Sequence, residues 1–347
     1  MIIKELNHLI FKLVRSGLLI IVLVFLVIPI FYFWAGSPNL PKQQYRQIKK
    51  YHESSSIPDQ DTLSIISFNI GYLSGMTNNL AVRSGYDFFH QNMEHAVEIF
   101  QDRSPTFIGF QEIDYHAKRS WYVNQMDSIA KKLKFPYGAY VVNWDKRYVP
   151  FPYWPVKVHF GKLISGQALL SQYPILNNRR IVFPKPDKNP FYYNAFYLDR
   201  LLQFTEMDVK GNRLLILNVH LEAFDTETRE IQARILKDTV ERYSKRYPLL
   251  LIGDFNCRPP FMNIQNNEEI TLRVLQSIPG MHMTIREREY QENPAEYYTY
   301  SSRHPTETID YIIHNERIQA ISFEVIGESY EISDHRPVYF KFMIKKN

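Results

Sequence analysis

The sequence is almost free of cysteine. Cys257 stands alone in 347 residues, so no disulfide can close within the chain and the redox compartment cannot be read from it. A lone cysteine beside a strand end packs as a small apolar residue. Charge excess is also slight: 41 Lys and Arg against 36 Asp and Glu leave +5. That suits an anionic substrate or a membrane surface without singling out nucleic acid. No tandem repeat of solenoid length is present, and nothing marks a second boundary inside the main domain. Bulk disorder is excluded by an apolar fraction of 45% and a charged fraction of 22%. Aromatics are abundant, with 24 Tyr and 23 Phe, and many gather between residues 135 and 197.

Residues 16–35, SGLLIIVLVFLVIPIFYFWA, run without a charge. A helix of that length crosses a hydrocarbon core of about 30 Å. Tyr32 and Trp34 suit an interfacial aromatic belt, and Pro29 is tolerable near a helix end. The run exceeds the apolar region of a typical cleaved signal peptide, so we expect an uncleaved single-pass anchor. Lys4, Lys12 and Arg15 precede it, while Lys42, Arg46, Lys49 and Lys50 follow, so charge bias does not orient it cleanly. A short basic tail is hard to translocate, which places the tail in the cytoplasm and the large domain on the extracytoplasmic side. The expected organisation is a basic tail (1–15), a transmembrane helix (16–35), a polar linker (36–61, with Pro38, Pro41, Ser54, Ser55, Ser56 and Pro58) and a catalytic domain (62–347).

Within that domain strand-like and helix-like stretches alternate, which predicts an α/β fold. Strands are expected at 63–70, 107–110, 137–142, 163–171, 196–209, 213–221, 249–253, 308–313, 322–326 and 338–343. Helical spacing links Phe89, Met93, Ala96, Val97 and Phe100, and again Tyr122, Met126, Ile129, Ala130 and Leu133. A third helix is expected from Asp225 as N-cap to Lys245 and Arg246, closed by Pro248.

Polar residues recur at the ends of these apolar runs, where an α/β scaffold commonly carries its site. They are Asn69 (SIISFN), Glu112 (FIGFQE), His220 (LLILNVHLE), Asp254 and Asn256 (LIGDFN), Asp310 (TIDYII), and Asp334 with His335 (ISDHRPV). Two-residue alternation points Asp254 and Asn256 the same way, and a carboxylate and carboxamide together make poor core residues unless paired. Each residue has a structural alternative: His220 a satisfied half-buried histidine, Asp310 a strand cap, the Asp254/Asn256 and Asp334-His335 pairs plain turns. Together they form a chemical set. Asp and Glu without Cys are hard oxygen ligands of the kind that hold Mg²⁺, with Mn²⁺ as the alternative. Two histidines supply proton transfer near neutral pH. The inventory fits metal-assisted hydrolysis of a phosphate ester. His90, His95, His116, His159, His282, His304 and His314 lack such context and read as surface or structural.

The ordered set FN, QE, VHL, GDFN, DYI and SDHRPV, over roughly residues 62–345, resembles the endonuclease/exonuclease/phosphatase superfamily. GQALLSQYPI at 166–175 is similar to another of its strands. That superfamily includes pancreatic-type deoxyribonuclease, abasic-site nucleases, neutral sphingomyelinases and inositol polyphosphate 5-phosphatases. The resemblance implies a four-layer α/β sandwich, two mixed sheets face to face with flanking helices, here preceded by one N-terminal transmembrane helix. It implies Glu112 as main metal ligand, with Asn69 placing the metal or its water and Asp334 near the metal or the same network. Asp254 and Asn256 would orient the attacking water and the phosphate. His335 would be general base or phosphate-binding imidazole, oriented by Asp310. His220 stands where the deoxyribonuclease and sphingomyelinase branches have His and abasic-site nucleases have Tyr. It would donate a hydrogen bond to the phosphate or protonate the leaving oxygen.

Tyr148, Phe151, Tyr153 and Trp154 lie among prolines with Lys146, Arg147 and Lys157, and residues 189–197 (NPFYYNAFY) add more aromatics. Such residues fill cores, stack nucleic-acid bases, or sit at a lipid headgroup layer. The anchor favours the last, because tethering raises the effective concentration of a lipid substrate. The expected function is a membrane-anchored phosphodiesterase of phospholipid or sphingolipid headgroups, sphingomyelinase-like in chemistry. The alternatives are a membrane-tethered nuclease and a non-catalytic binding module on the same scaffold. The expected partners are the bilayer and a phosphate-ester substrate.

Overall fold

A computed structural model of the protein describes residues 2–52, 61–78, 80–262, 269–327 and 331–345. The chain opens with helix α1 (Ile2–Gly36), a short turn of 3-10 helix (Lys42–Tyr45) and β1 (Arg46–Lys50). Next come β2 (Thr62–Asn69), α2 (Tyr86–Arg103), β3 (Phe107–Asp114), α3 (Gln125–Leu133), β4 (Tyr137–Val149), β5 (Gly161–Ser171) and β6 (Ile175–Val182). The second half holds α4 (Phe191–Asn194), β7 (Leu201–Val209), β8 (Asn212–His220), α5 (Thr226–Ser244), β9 (Leu249–Asp254), α6 (Thr271–Gln276) and β10 (Met281–Met283). It closes with α7 (Glu287–Glu292), β11 (Asp310–Asn315), β12 (Ile318–Val325) and β13 (Val338–Ile344).

Two mixed sheets form, ordered β1-β4-β5-β3-β2-β13-β12 and β10-β11-β9-β8-β7-β6. Strand alternation decides which residues lie between them. Leu63, Ile65, Phe107 and Leu169 of one sheet meet Met207, Ile216, Leu250, Ile252 and Ile312 of the other. The intervening residues Ile66, Phe68, Ile108 and Phe110 face outward onto Phe89, Met93 and Phe100 of α2 and Met126 and Ile129 of α3. Leu215, Leu217, Leu249 and Leu251 face Leu236 and Val240 of α5 and Leu272 and Leu275 of α6. This is the expected four-layer sandwich. Asp225 caps α5 as expected, its carboxylate accepting from Thr228 N at 2.8 Å. The second expected helical pattern starts later than its first apolar residue, because Tyr122 has φ +61° and Asn124 is the N-cap of α3.

The segment expected to be a linker is structured near its middle. Asn39 N and Nδ2 and Leu40 N all donate to Asp145 at 2.8 Å, and β1 pairs antiparallel with β4 from Arg46 against Val141 to Lys50 against Tyr137. Alternation in RQIKK is polar on both faces, which hides an edge strand from pattern reading. Ser54, Ser55, Ser56 and Pro58 lie outside the described residues. Strand β6 adds to the expected strands, since its NNRR centre carries no apolar period.

Between the sheets the apolar filling gives way, toward one end, to a layer of carboxamides. Asn218 Nδ2 donates to Phe110 O at 3.0 Å and to Gln203 Oε1 at 3.2 Å, and Asn218 Oδ1 accepts from Gln111 Nε2 at 2.6 Å. Gln167 Nε2 donates to Asn218 O at 2.8 Å. Polar residues this deep are tolerated because their amides pair with one another across the sheets. Beyond this layer lie the ionisable groups.

Gly253 permits the approach of β9 to β8 at that level. Its φ is +139°, and a Cβ there would lie 1.9 Å from Val219 O. Gly253→Ala therefore combines backbone strain with a clash against a paired strand, and is expected to destabilise the fold by on the order of 3 kcal/mol. A urea midpoint unchanged from wild type would contradict this packing.

Candidate active site

Register assembles the site. In the parallel β8–β9 pair His220 is opposite Asp254, and in the antiparallel β9–β11 pair Asp254 is opposite Asp310. Three strand ends thus form one row, His220, Asp254, Asp310, on the inner face. Across the gap Asn69 ends β2 beside Gln111 of β3. Its Nδ2 donates to Asp254 Oδ2 at 2.9 Å, and its Oδ1 accepts from Gly71 N at 3.2 Å.

Glu112 reaches this row by breaking alternation. Gln111 points inward, so a regular strand would send Glu112 outward to the helix layer. Instead the β3–β5 register slips between Phe110 and Ile113, and Glu112 takes φ +50°. A bulge of this kind re-aims a side chain at a cost of about 1–3 kcal/mol in backbone strain. The carboxylate is recessed, with Oε2 accepting from Asn78 Nδ2 at 2.9 Å and Oε1 lying 3.9 Å from His220 Nε2. Burial and the neighbouring Asp334 push its pKa up.

His335 is held from behind, its Nδ1 2.9 Å from Asp310 Oδ2. Its Nε2 faces Asp254 Oδ2 at 3.7 Å and Asn69 Nδ2 at 3.4 Å. Burial works against its charge, but Asp310 and Asp254 outweigh it and hold the imidazole well above the ordinary range. Burial pushes Asp254 up to about 7, partly offset by the His335 charge. His220 goes the other way: burial, then the Arg200 charge, keep it well below the usual range and neutral. Its Nδ1 has no partner among the described residues. Nε2, 3.4 Å from Asp254 Oδ2, is where acceptors are, so we assign the hydrogen there.

Asn256 sits in the site for a different reason than strand alternation. β9 ends at Asp254, and Asn256 has φ +50° in the following turn. Its backbone N–H donates to Asp254 Oδ1 at 2.9 Å and its Nδ2 to Leu221 O at 3.0 Å. Asp334 accepts from Ser333 Oγ at 3.3 Å and stands close enough to Glu112 to raise it. All eight residues singled out in the sequence therefore share one end of the inter-sheet space.

Asp254, Asp310 and His335 offer ligand atoms within 4.8 Å of one another, close enough for a cation. Yet the Asp310–His335 hydrogen bond already occupies that group, so a cation is better matched to Glu112 and Asp334. These two recessed carboxylates repel each other and receive one neutral amide from Asn78. An all-oxygen donor set of two adjacent carboxylates fits a hard divalent ion.

Sequence reasoning missed Arg200. It is buried, its Nε is 3.6 Å from Glu222 Oε2, and Nε and Nη1 have no hydrogen-bond partner among the described residues. Its charge acts on both Glu112 and His220. Glu222 also accepts from Tyr197 Oη at 2.8 Å. The sequence offered no signal for this arginine: it falls inside the stretch 196–209 expected as one strand, whereas β7 begins only at Leu201 and Arg200 precedes it.

The endonuclease/exonuclease/phosphatase family profile matches residues 66–335. The chain belongs to that family of metal-dependent phosphoester hydrolases. No curated protein sequence matches it. Among solved structures it is similar to an endonuclease/exonuclease/phosphatase from Beutenbergia cavernae, with 18% identity, TM-score 0.60, and coverage of 82% of this chain and 72% of that one. It is similar to the mannosyl-6-phosphatase Bt3783 of Bacteroides thetaiotaomicron, with 16% identity, TM-score 0.56, and coverage of 81% and 100%. It is also similar to the human Nocturnin catalytic domain with bound sulfate, with 16% identity, TM-score 0.57, and coverage of 89% and 99%. At these identities the likeness is one of fold.

Proposed function

We propose that this protein is a membrane-anchored, divalent-metal-dependent phosphodiesterase that cleaves the headgroup phosphoester of a phospholipid or sphingolipid. One observation carries the reading. Helix α1 is long and apolar enough to cross a bilayer, yet almost none of it is buried against the rest of the chain. A core helix would be covered; this one needs lipid to cover it.

The residues divide the chemistry by position. Arg200, whose Nε and Nη1 have no hydrogen-bond partner among the described residues, acts on Glu112 and His220 and takes the substrate phosphate. Neutral His220 donates a hydrogen bond through Nε2 and is not an acid at neutral pH. His335, kept charged by Asp310, faces the same space and binds a phosphoryl oxygen. Asp254 lies between the two imidazoles with Asn69 donating to it, and accepts the proton of the attacking water. The Asn256 turn orients that carboxylate. Glu112 and Asp334, with Asn69 beside them, would hold Mg²⁺ or Mn²⁺, which supplies neutralisation of charge on the phosphoryl oxygens.

A substrate panel tests this: full-length protein in nanodiscs with Mg²⁺, Mn²⁺ or EDTA, offered a sphingomyelin-type lipid, a phosphoinositide, a soluble phosphomonoester and plasmid DNA. Lipid turnover that EDTA abolishes is expected. DNA turnover without lipid turnover would make the protein a tethered nuclease. No turnover and no metal binding would make it a binding scaffold. Protease accessibility on intact cells tests the extracytoplasmic placement of the domain, which is expected to be cleaved from outside.

A further inference from the structure

The aromatics between residues 135 and 197 split into two populations. Tyr140, Trp144, Phe160 and Tyr173 are buried, as core residues are. Tyr153, Trp154 and Phe191 are 70%, 77% and 79% exposed and Tyr192 is 58% exposed, and beyond that stretch Phe224 is 83% exposed. Single exposed aromatics need no explanation, but a contiguous group does.

Phe191 touches the end of α1 and its neighbour Tyr192, and the Tyr153–Trp154 segment is tied to the same place through His159, which joins Tyr153 O to Tyr148. Phe31 packs edge-on against Tyr148 at 5.7 Å between ring centres, and Tyr32 packs edge-on against Phe191 and Phe196 at 6.4 and 5.6 Å. Lys146 Nζ donates to Gly36 O at 2.9 Å, and Arg147 N donates to Ser37 O at 3.0 Å, so the helix end is seated on β4. Tyr193 follows Phe191 and Tyr192 in the chain and stacks on Tyr197 at 5.3 Å between ring centres. Tyr197 in turn bonds Glu222, two residues before Phe224, whose N–H donates to Glu222 Oε1 at 3.1 Å. A chain of neighbouring residues therefore runs from the exposed base of the apolar helix inward, through Phe191, Tyr193, Tyr197 and Glu222, to the buried arginine beside the site.

We infer that Tyr153, Trp154, Phe191, Tyr192 and Phe224 form a lip that seats in the headgroup layer of the bilayer crossed by α1, so that the active site opens onto that layer. The inference rests on the anchored, lipid-hydrolysing reading above. The occupant follows from continuity: a surface attached to the end of a membrane-crossing helix meets the interface of that membrane. Trp and Tyr are the side chains favoured there, with an apolar body and a polar tip. Exposed Lys157 and Arg147 flank the lip and suit lipid phosphates. A headgroup ester could then reach Arg200 without leaving the bilayer.

The test places one probe at a time on the lip. Cys257 is the only cysteine, and it is buried with its thiol pushed well up by burial. An environment-sensitive maleimide fluorophore therefore labels only the introduced residue in Trp154→Cys, Phe191→Cys or Phe224→Cys. Ile321→Cys, exposed on β12 at the far edge of its sheet, is the control. In nanodiscs of phosphatidylcholine and phosphatidylglycerol the three lip probes should shift to the blue and lose emission several-fold with spin-labelled lipid. The control should not change. Lip probes that stay water-exposed overturn the inference whatever the protein cleaves. Buried probes with no lipid turnover in the panel uphold the surface while overturning the lipid substrate. With both intact, Trp154→Ser/Phe191→Ser/Phe224→Ser should lower turnover of bilayer lipid at least about tenfold, as expected for lost surface concentration. Hydrolysis of soluble bis(p-nitrophenyl) phosphate should be unaffected by that variant.

Discussion

His335→Ala should lower kcat/KM on the true substrate by about 10²- to 10⁴-fold, with the chain still folded. Among the described residues the imidazole is the charged donor that faces Asp254, and its orientation is fixed by the 2.9 Å contact with Asp310. Removing it takes away the cation at the phosphoryl oxygens and leaves two buried carboxylates facing each other. Asp254 and Asp310 then share a proton, since both cannot ionise side by side in a buried row. The base for water is neutralised along with the loss of the cation, so the kinetic loss should exceed that of either function alone. Asp310→Asn separates these effects. It keeps a side chain at Nδ1 but removes the charge that raises His335, so its loss should be smaller and should shrink at lower pH, where the imidazole is protonated without help. The measurement is kcat/KM against pH for wild type and both variants, with circular dichroism to check folding. His335→Ala within about tenfold of wild type would refute the role.

Glu112→Gln should abolish the stabilisation of the protein by divalent metal. In the wild type, ligand binding to the folded state alone raises the melting temperature as metal is added. The Glu112 carboxylate carries the charge for that binding, and a carboxamide keeps the shape and the Asn78 contact without the charge. Without metal the variant should be at least as stable as wild type. The burial cost and the repulsion from Asp334, which together push the Glu112 pKa up, both vanish with the charge. Stability without metal and stability with metal thus move in opposite directions, which a merely structural glutamate would not produce. The wild-type contribution has a defined pH sense: a carboxylate raised on folding costs stability above its folded range, and that cost is relieved as pH falls through it. The metal-free difference between the two proteins should therefore narrow on acidification. Thermal melts over a Mg²⁺ and Mn²⁺ series check this. A variant that keeps the wild-type metal shift would exclude Glu112 as a ligand.

Much of the site could be read in the chain because strands carry it. His220, Asp254 and Asp310 each sit at the edge of an apolar run whose period places them inward, and pairing registers bring them into one row. The apolar run of α1 and the cap of α5 were legible for the same reason: the physics of one element is local to its own residues. Other features depend on partners far away in sequence. Glu112 faces the site through a bulge that pairing with β5 imposes, against its own alternation. β1 is a strand because β4 offers it an edge. Asn256 reaches the site through a turn that Asp254 holds. Arg200 is a site residue because Glu222, Glu112 and His220 close around it, none of them near it in the chain. Local periodicity thus determined the layers and most of the chemical inventory. Direction, pairing and exposure, including which aromatics became core and which became lip, were decided by long-range packing that no single window of sequence contains.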